Sequence, residues 1–522
     1  MNLFQTVGKR RGGRAAKQAE RSATQTTAPV RPGQEGGWYR PLSAADVGRI
    51  HGAALDLLAE VGLADAIPSC VELVTAAGGR LTGEGRLLFP RTLVEDRVAA
   101  AGRHFVLPGL DPRHDLEPWG TKVHFGSAGA AVHMVDSASG EFRPSTLKDL
   151  YDIARLIDAL EHIHFCQRPV IACDIEDSVS LDINTAYACI SGTTKHVGTA
   201  FSTAEGLTKT LELLHTVAGG EAAWRARPFV SISCCFVVPP LRFAEDACRC
   251  LENAVRAGMP VLLLAAGQAG ATSPAALAGA LVQQVAEVLA GLVYVNLIAP
   301  GHPAIFGTWP FVSDLRTGAM SGGSGEQALL MAACAQMAQH YDLPGGVAAG
   351  MTDAKLPDAQ SGYEKGYSNA LAGLAGANLV YEAAGMQASL MGACLESFVI
   401  DNDMLGNVMR TVRGIEVNDE SISLEAIREV CLGGEGHFLG HHQTLGLMES
   451  EYLYPRIGDR QSIKEWREAG GGAIDKRARQ RVREILDGHF PDHVPAAVDA
   501  ALRRSHPIAL PLEAMLPLRL PW

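Results

Sequence analysis

The chain has 522 residues, 47% of them hydrophobic and 20% charged, an ordinary globular composition with enough length to bury a large core. The formal net charge is −12, and there is neither a basic face interleaved with aromatics nor zinc-finger spacing, which argues against a nucleic-acid-binding module. Aromatic residues make up only 6% of the chain, so a local cluster of them carries information.

Residues 1–37 hold the one basic stretch, Lys9, Arg10, Arg11, Arg14, Lys17 and Arg21 among Gly, Ala, Ser and Thr. This composition predicts a disordered tail, and a transit peptide would share it. No apolar segment of the kind found in secretory signals accompanies it, so export is not expected. Residues 38–118 read as a mainly helical lead-in. Ser43 caps a helix carrying Val47, Ile50, Ala54, Leu57 and Leu58, and Pro90 precedes another with Leu93, Val94, Val98 and Ala99.

From Lys122 onward eight short apolar runs appear, at Val123–Gly126, Ile163–Gln167, His196–Thr199, Phe229–Cys235, Val261–Ala265, Ala304–Gly307, Val347–Gly350 and Asn378–Tyr381. Helix-length segments separate most of them. One runs from Pro144-Ser145-Thr146 through Leu147, Leu150, Ile153, Ala154 and Ile157, with Asp149 placed to close a capping box on Thr146. Another is predicted to start at Pro239-Pro240-Leu241 and to continue through Ala244, Cys248, Leu251 and Val255 to Arg256. Eight buried strands alternating with helices imply an α/β fold with a parallel sheet. The count favours a closed (β/α)8 TIM barrel over residues 119–400 rather than an open doubly wound sheet, and no G-x-G-x-x-G opens the first unit. Residues 401–522 read as a helical C-terminal extension packed on the barrel.

The longest apolar stretch, Pro274–Ile298, contains Gln283, Gln284, Glu287 and Asn296, which disfavours a membrane span. Eleven cysteines without a C-x-x-C pair predict free thiols in a reducing cytoplasm.

In a barrel the chemistry lies where the strands end. Those ends present Ser127, Gln167, Arg168, Thr199, Cys235, Phe236, Gln268, Thr308, Trp309, Phe311, Met351, Thr352, Asp353, Tyr381 and Glu382. Trp309 and Phe311 follow one strand, Arg316 comes just beyond, and Tyr363 and Tyr367 follow the next loop. Aromatic faces hold a quaternary ammonium without hydrogen bonds, and a guanidinium holds a carboxylate. Singly, each residue reads first as packing or, for Arg316, as the partner of Asp314. Asp353, in Thr352-Asp353-Ala354-Lys355, is either a site residue or half of an internal salt bridge. His437, His441 and His442 have the one-turn spacing of a metal site, but no glutamate follows His437, and a loop-and-helix docking face is the preferred reading; no metal is expected. Gly322-Gly323-Ser324-Gly325 is either an anion-receiving turn or a tight loop.

Several stretches, taken in order, resemble the trimethylamine methyltransferase superfamily. They are Gly270-Ala271-Thr272-Ser273-Pro274 through Gln284, Asp314-Leu315-Arg316-Thr317-Gly318, Asp353-Ala354-Lys355-Leu356-Pro357-Asp358-Ala359-Gln360-Ser361-Gly362-Tyr363-Glu364-Lys365, Ala375-Gly376-Ala377-Asn378, Ile400-Asp401-Asn402-Asp403, and Gly436-His437-Phe438-Leu439-Gly440 through Thr444-Leu445. The likeness spans about residues 40–490. It implies a (β/α)8 barrel that binds no cofactor tightly itself and hands a methyl group to the cobalt of a corrinoid (cobalamin) presented by a separate protein, without zinc. The founding members carry pyrrolysine, whereas this sequence has only standard residues, like the members that resemble glycine betaine methyltransferases.

The chemistry explains that division. A quaternary nitrogen leaves as a neutral tertiary amine and needs no proton, whereas a neutral trimethylamine needs prior activation. The resemblance therefore implies a small quaternary amine substrate, glycine betaine first, and assigns no catalytic acid. It implies a substrate site built from Trp309, Phe311 and Tyr363, with Arg316 for a carboxylate and Asp353, Phe236 and Gln167 at neighbouring strand ends. A homo-oligomer is expected. Two other functions fit the sequence: a barrel that binds quaternary amines without turnover, and a methyltransferase for another methylated amine or a sulfonium.

Overall fold

Each of the eight apolar runs forms a strand: β1 (Lys122–Ser127), β2 (Cys166–Gln167), β3 (Val197–Thr199), β4 (Val230–Cys234), β5 (Val261–Ala265), β6 (Ala304–Thr308), β7 (Gly346–Ala348) and β8 (Leu379–Ala384). The computed structural model describes residues 28–127, 129–434 and 436–517. β5 shows why the runs become strands: Val261, Leu262, Leu263, Leu264 and Ala265 are all buried, so both faces of the strand are covered, as in a parallel sheet flanked by helices.

The strands pair in parallel in two sets. One has the order β6-β5-β4-β3-β2, the other β7-β8-β1. Parallel bridges join Gly126 to Phe165, between β1 and the lead-in to β2, and Phe306 to Gly345, between β6 and the lead-in to β7.

A helix follows each strand: α1 (Leu147–Ala159), α2 (Ser178–Gly192), α3 (Ala204–Ala218), α4 (Glu245–Arg256), α5 (Leu277–Ile298), α6 (Gly325–His340), α7 (Ala359–Leu374) and α8 (Leu395–Arg413). The predicted capping box is present on α1, where Thr146 and Asp149 satisfy each other's backbone donors. α4 starts later than its prolines suggested. Val237–Val238 and Arg242–Phe243 form an antiparallel hairpin around Pro239-Pro240, so these prolines turn a hairpin instead of opening a helix.

α5 is long and apolar enough to cross a membrane, yet most of it is buried inside the fold. Two of its polar residues have internal partners: the Asn296 amide donates to Leu292 O and accepts from Gly301 N, and Glu287 accepts from Leu241 N at 2.9 Å. The lead-in helices Ala44–Glu60, Pro68–Ala76 and Arg91–Ala100 pack on α5. The lead-in also carries short strands at Leu63–Ala64, Arg80–Leu81 and Arg86–Leu88, which join the hairpin through Ala64 and Arg242.

Two predicted boundaries shift. Most of the basic tail, residues 1–27, lies outside the described residues, but Gln34–Glu35 pairs antiparallel with Val123 and Lys122 of β1, so the structured chain begins before residue 37. The segment after residue 401 does not form one extension. α8 and the chain from Pro455 belong with the strands, and Ile415–Tyr454 falls in a second unit containing the helices Leu424–Leu432 and His442–Leu447. In the large unit Asp403 of α8 accepts the backbone N–H groups of Arg456, Ile457 and Gly458, which fixes the returning chain. Helix Ile474–Gly488 packs against α8 and α1. There the Arg155 guanidinium donates to Leu486 O and His489 O and lies over the Phe490 ring, 3.8 Å from its centroid.

Candidate active site

Side chains alternate along a strand, and this parity sorts the strand ends into two faces. On β4, Cys234 turns to the helices, its thiol donating to Ala247 O of α4, while Ser233 turns to the opposite, inner face. There its hydroxyl accepts a 2.9 Å hydrogen bond from the Gln167 amide of β2, which reaches across β3. The reach is possible because β3 has glycine at this point: a Cβ on Gly198 would stand 2.0 Å from Gln167 Oε1. That oxygen is buried and has no hydrogen-bond partner among the described residues.

Three rings from both strand sets meet on the same inner face. Phe165 and Tyr381 lie edge to face at 5.0 Å between centroids, and Tyr381 and Trp309 are tilted at 5.3 Å. Phe311, 6.4 Å from Trp309, extends the row. Glycines again make the space, since a Cβ on Gly126 would strike the Phe165 ring and one on Gly346 would lie 2.9 Å from the Tyr381 ring. Trp309 is 5% exposed and its indole N–H donates to Gly346 O at 3.1 Å, which fixes the ring plane.

Two charged side chains stand at the ends of these strands. Glu382 follows Tyr381 where the register of β8 against β1 shifts, so strict alternation breaks there; its φ is 62°, a left-handed conformation that costs a residue with a Cβ about 1–2 kcal/mol. It is 3% exposed and accepts one hydrogen bond, from Gly129 N at 2.8 Å. Arg168 follows Gln167. Its backbone is held by Gly198 O and Ala130 N, but its guanidinium has no partner among the described residues. An unpaired guanidinium that is partly withdrawn from water is poised to take a carboxylate.

The expected site residues therefore separate. Gln167, Trp309 and Phe311 come together with Tyr381. Phe236 does not: its ring packs on α5, where a Cβ on Gly291 would overlap it, and on Phe243 at 6.3 Å. Parity explains this, because Phe236 shares the helix face of β4 with Cys234. Arg316 is largely exposed and forks onto Asp314, two residues back, at 2.7 Å. Tyr363 is 60% exposed on α7.

Asp353 holds backbone and hydroxyls of its own chain. It accepts from Ser321 Oγ and Gly322 N, each at 2.8 Å, and from Ser389 Oγ. The anion received by the glycine-rich turn before α6 is thus Asp353 itself. Tyr381, Glu382 and Arg168 stand at strand ends in the sequence but carry no site expectation there. A lone charge closing an apolar run was the available signal for the two charged residues.

In the smaller unit, Glu429, His441 and His442 place ligand-type atoms within 4.8 Å of one another. Both His441 ring nitrogens are engaged, Nε2 with Glu429 at 3.1 Å and Nδ1 as acceptor from Gln443 N at 3.2 Å.

Family comparison agrees with the order of the sequence motifs. The model of the family "Trimethylamine methyltransferase (MTTB)" matches residues 10–506. The chain belongs to the trimethylamine methyltransferase family. Trimethylamine methyltransferase MttB of Desulfitobacterium hafniense is 32% identical over 470 residues, covering 90% of this chain and 94% of that protein. MttB of Methanosarcina thermophila is 33% identical over 445 residues, covering 84% and 91%. The glycine betaine methyltransferase of D. hafniense strain Y51 is 29% identical over 466 residues, covering 89% and 96%. Family members thus include methyltransferases named for a tertiary and for a quaternary methylated amine.

Proposed function

We propose that this methyltransferase moves a methyl group from a small quaternary amine, glycine betaine first among them, to the Co(I) of a separate corrinoid protein. The observation that carries the reading is the meeting of Trp309 and Tyr381 on the inner face with the buried carboxyl of Glu382 as the next residue. Ring faces and a carboxylate both attract a cation that has no N–H to offer. The absence of pyrrolysine from the sequence and the relative named for glycine betaine point the same way. Arg168 replaces Arg316 as the group for the substrate's carboxylate, because its guanidinium is unpaired whereas that of Arg316 is committed to Asp314.

We read the two strand sets as arcs of one (β/α)8 barrel. The bridges Gly126–Phe165 and Phe306–Gly345 on the two sides, and a helix after every strand, support that reading. Its mouth is then the end at which Arg168, Trp309 and Glu382 stand, the side from which a partner protein reaches the substrate. A corrinoid would supply a strongly nucleophilic cobalt as the acceptor of the methyl group. This chain's part is to orient one methyl toward the mouth, exclude water, and hold the cation without excess affinity, since the charge vanishes as the methyl leaves.

The test is turnover. Purified protein with a Co(I) corrinoid protein and glycine betaine is expected to yield dimethylglycine and methylated corrinoid in equal amounts. Binding of betaine without demethylation would reduce the protein to a quaternary-amine-binding barrel.

A further inference from the structure

Glu382 is buried, and among the described residues no cation stands beside it. Its Oε2 accepts from Gly129 N at 2.8 Å, and its Oε1 has no hydrogen-bond partner among the described residues. It sits within β8, two residues before the strand's end, in a strained left-handed conformation directly after a ring of the aromatic row. An ionised carboxylate in this setting is costly, because one backbone N–H replaces little of the lost hydration. We propose, building on the quaternary-amine reading of the site, that Glu382 carries a proton in the empty protein and gives it up when a cationic substrate seats beside it, so that binding expels one proton.

The surroundings support this. Burial pushes the Glu382 acid up to about 8, and the Gly129 N–H is the one group that pulls it back. The titratable groups at neighbouring strand ends are Arg168 after β2, Cys235 after β4, Asp353 after β7 and Tyr381 on β8 itself, and none of them acts on Glu382. A substrate ammonium would be the first positive charge the carboxyl meets, and it would favour the ionised form.

The exchange balances as a carboxylic acid and a quaternary ammonium becoming a carboxylate–ammonium pair and a free proton. After the methyl group has left, the nitrogen is neutral, the carboxylate again lacks a cation, and it takes a proton back from solvent. The attraction that holds the substrate is thus withdrawn from the product, which resolves the conflict between gripping a cation and discharging it.

Titration calorimetry in two buffers of different ionisation enthalpy tests this, with glycine betaine and tetramethylammonium chloride as probes. Near about pH 6.5 each probe should release close to one proton, and near about pH 9.5 none. The dissociation constant should tighten about tenfold per pH unit until it levels off near the acid's own pKa in the empty site. Glu382→Gln should remove both the proton release and the pH dependence. Infrared difference spectra of the wild type should show a protonated carboxyl band lost on adding betaine, a readout that does not depend on the variant folding. Binding without proton release, or without loss of that band, overturns the proposal and leaves the substrate assignment standing. Absence of binding by either probe at any pH overturns both.

Discussion

The Trp309 indole crosses from the end of β6 to donate its N–H to the Gly346 carbonyl at the start of β7, 3.1 Å away. One hydrogen bond thereby sets the plane of a ring that also packs on Tyr381. Trp309→Phe keeps an aromatic face and deletes the hydrogen bond. We expect it to lower unfolding free energy by about 1–2 kcal/mol, read by urea denaturation. It should also raise the KM for glycine betaine by about threefold to tenfold, since the smaller ring is a weaker cation platform.

Arg168 and Arg316 make opposite predictions. Arg168→Ala should weaken glycine betaine binding by about tenfold to a hundredfold while changing tetramethylammonium binding little, because only the first ligand has a carboxylate. Arg316→Ala removes an exposed fork onto Asp314 and should change either affinity by less than about threefold. Equal losses for both ligands in Arg168→Ala would rule out the carboxylate role.

Asp353 ties the turn before α6 to the loop that follows β8 through Ser321, Gly322 and Ser389. Asp353→Asn keeps the shape but replaces one acceptor oxygen with a donor. Limited proteolysis should then cut faster within residues 313–324 and 386–392. The betaine KM should rise, with unfolding free energy reduced by about 1–2 kcal/mol.

Two buried acids give the empty protein a pH-dependent stability. Glu382 rises from 4.5 to about 8 and Glu287 from 4.5 to about 7, each through burial first. Both therefore bind protons more tightly folded than unfolded. Their contribution is complete below pH 4.5 and is lost as pH rises through about 7 and then about 8. The melting temperature of the unliganded protein should fall over that interval. Glu382→Gln should flatten the upper part of the fall, Glu287→Gln the lower, and saturating betaine should act like Glu382→Gln.

Much of this architecture was legible because the strands are short apolar runs separated by helix-length segments, and those patterns are local. The capping box on α1 is equally local. What failed was context. Pro239-Pro240 carries the signal of a helix start, and only its pairing partners show that it turns a hairpin. Phe236 closes an apolar run, yet alternation from Ser233 sends it to the helix face. Arg316 beside two aromatics in sequence suggested a clamp, but a turn closed by Thr317 and Gly318 on Asp314 O carries it outward. Arg168 and Glu382 stand out only once the other charges at the strand ends are seen to have partners.

Gly126, Gly198 and Gly346 lie on the inner face, each where a side chain would collide with Phe165, Gln167 or Tyr381, and Gly129 lies where one would press on Glu382. The rings, the amide and the carboxyl are thus seated by omission. A methyl at any of these four positions would push its neighbour from its place, so an alanine there disturbs the row without removing a polar group.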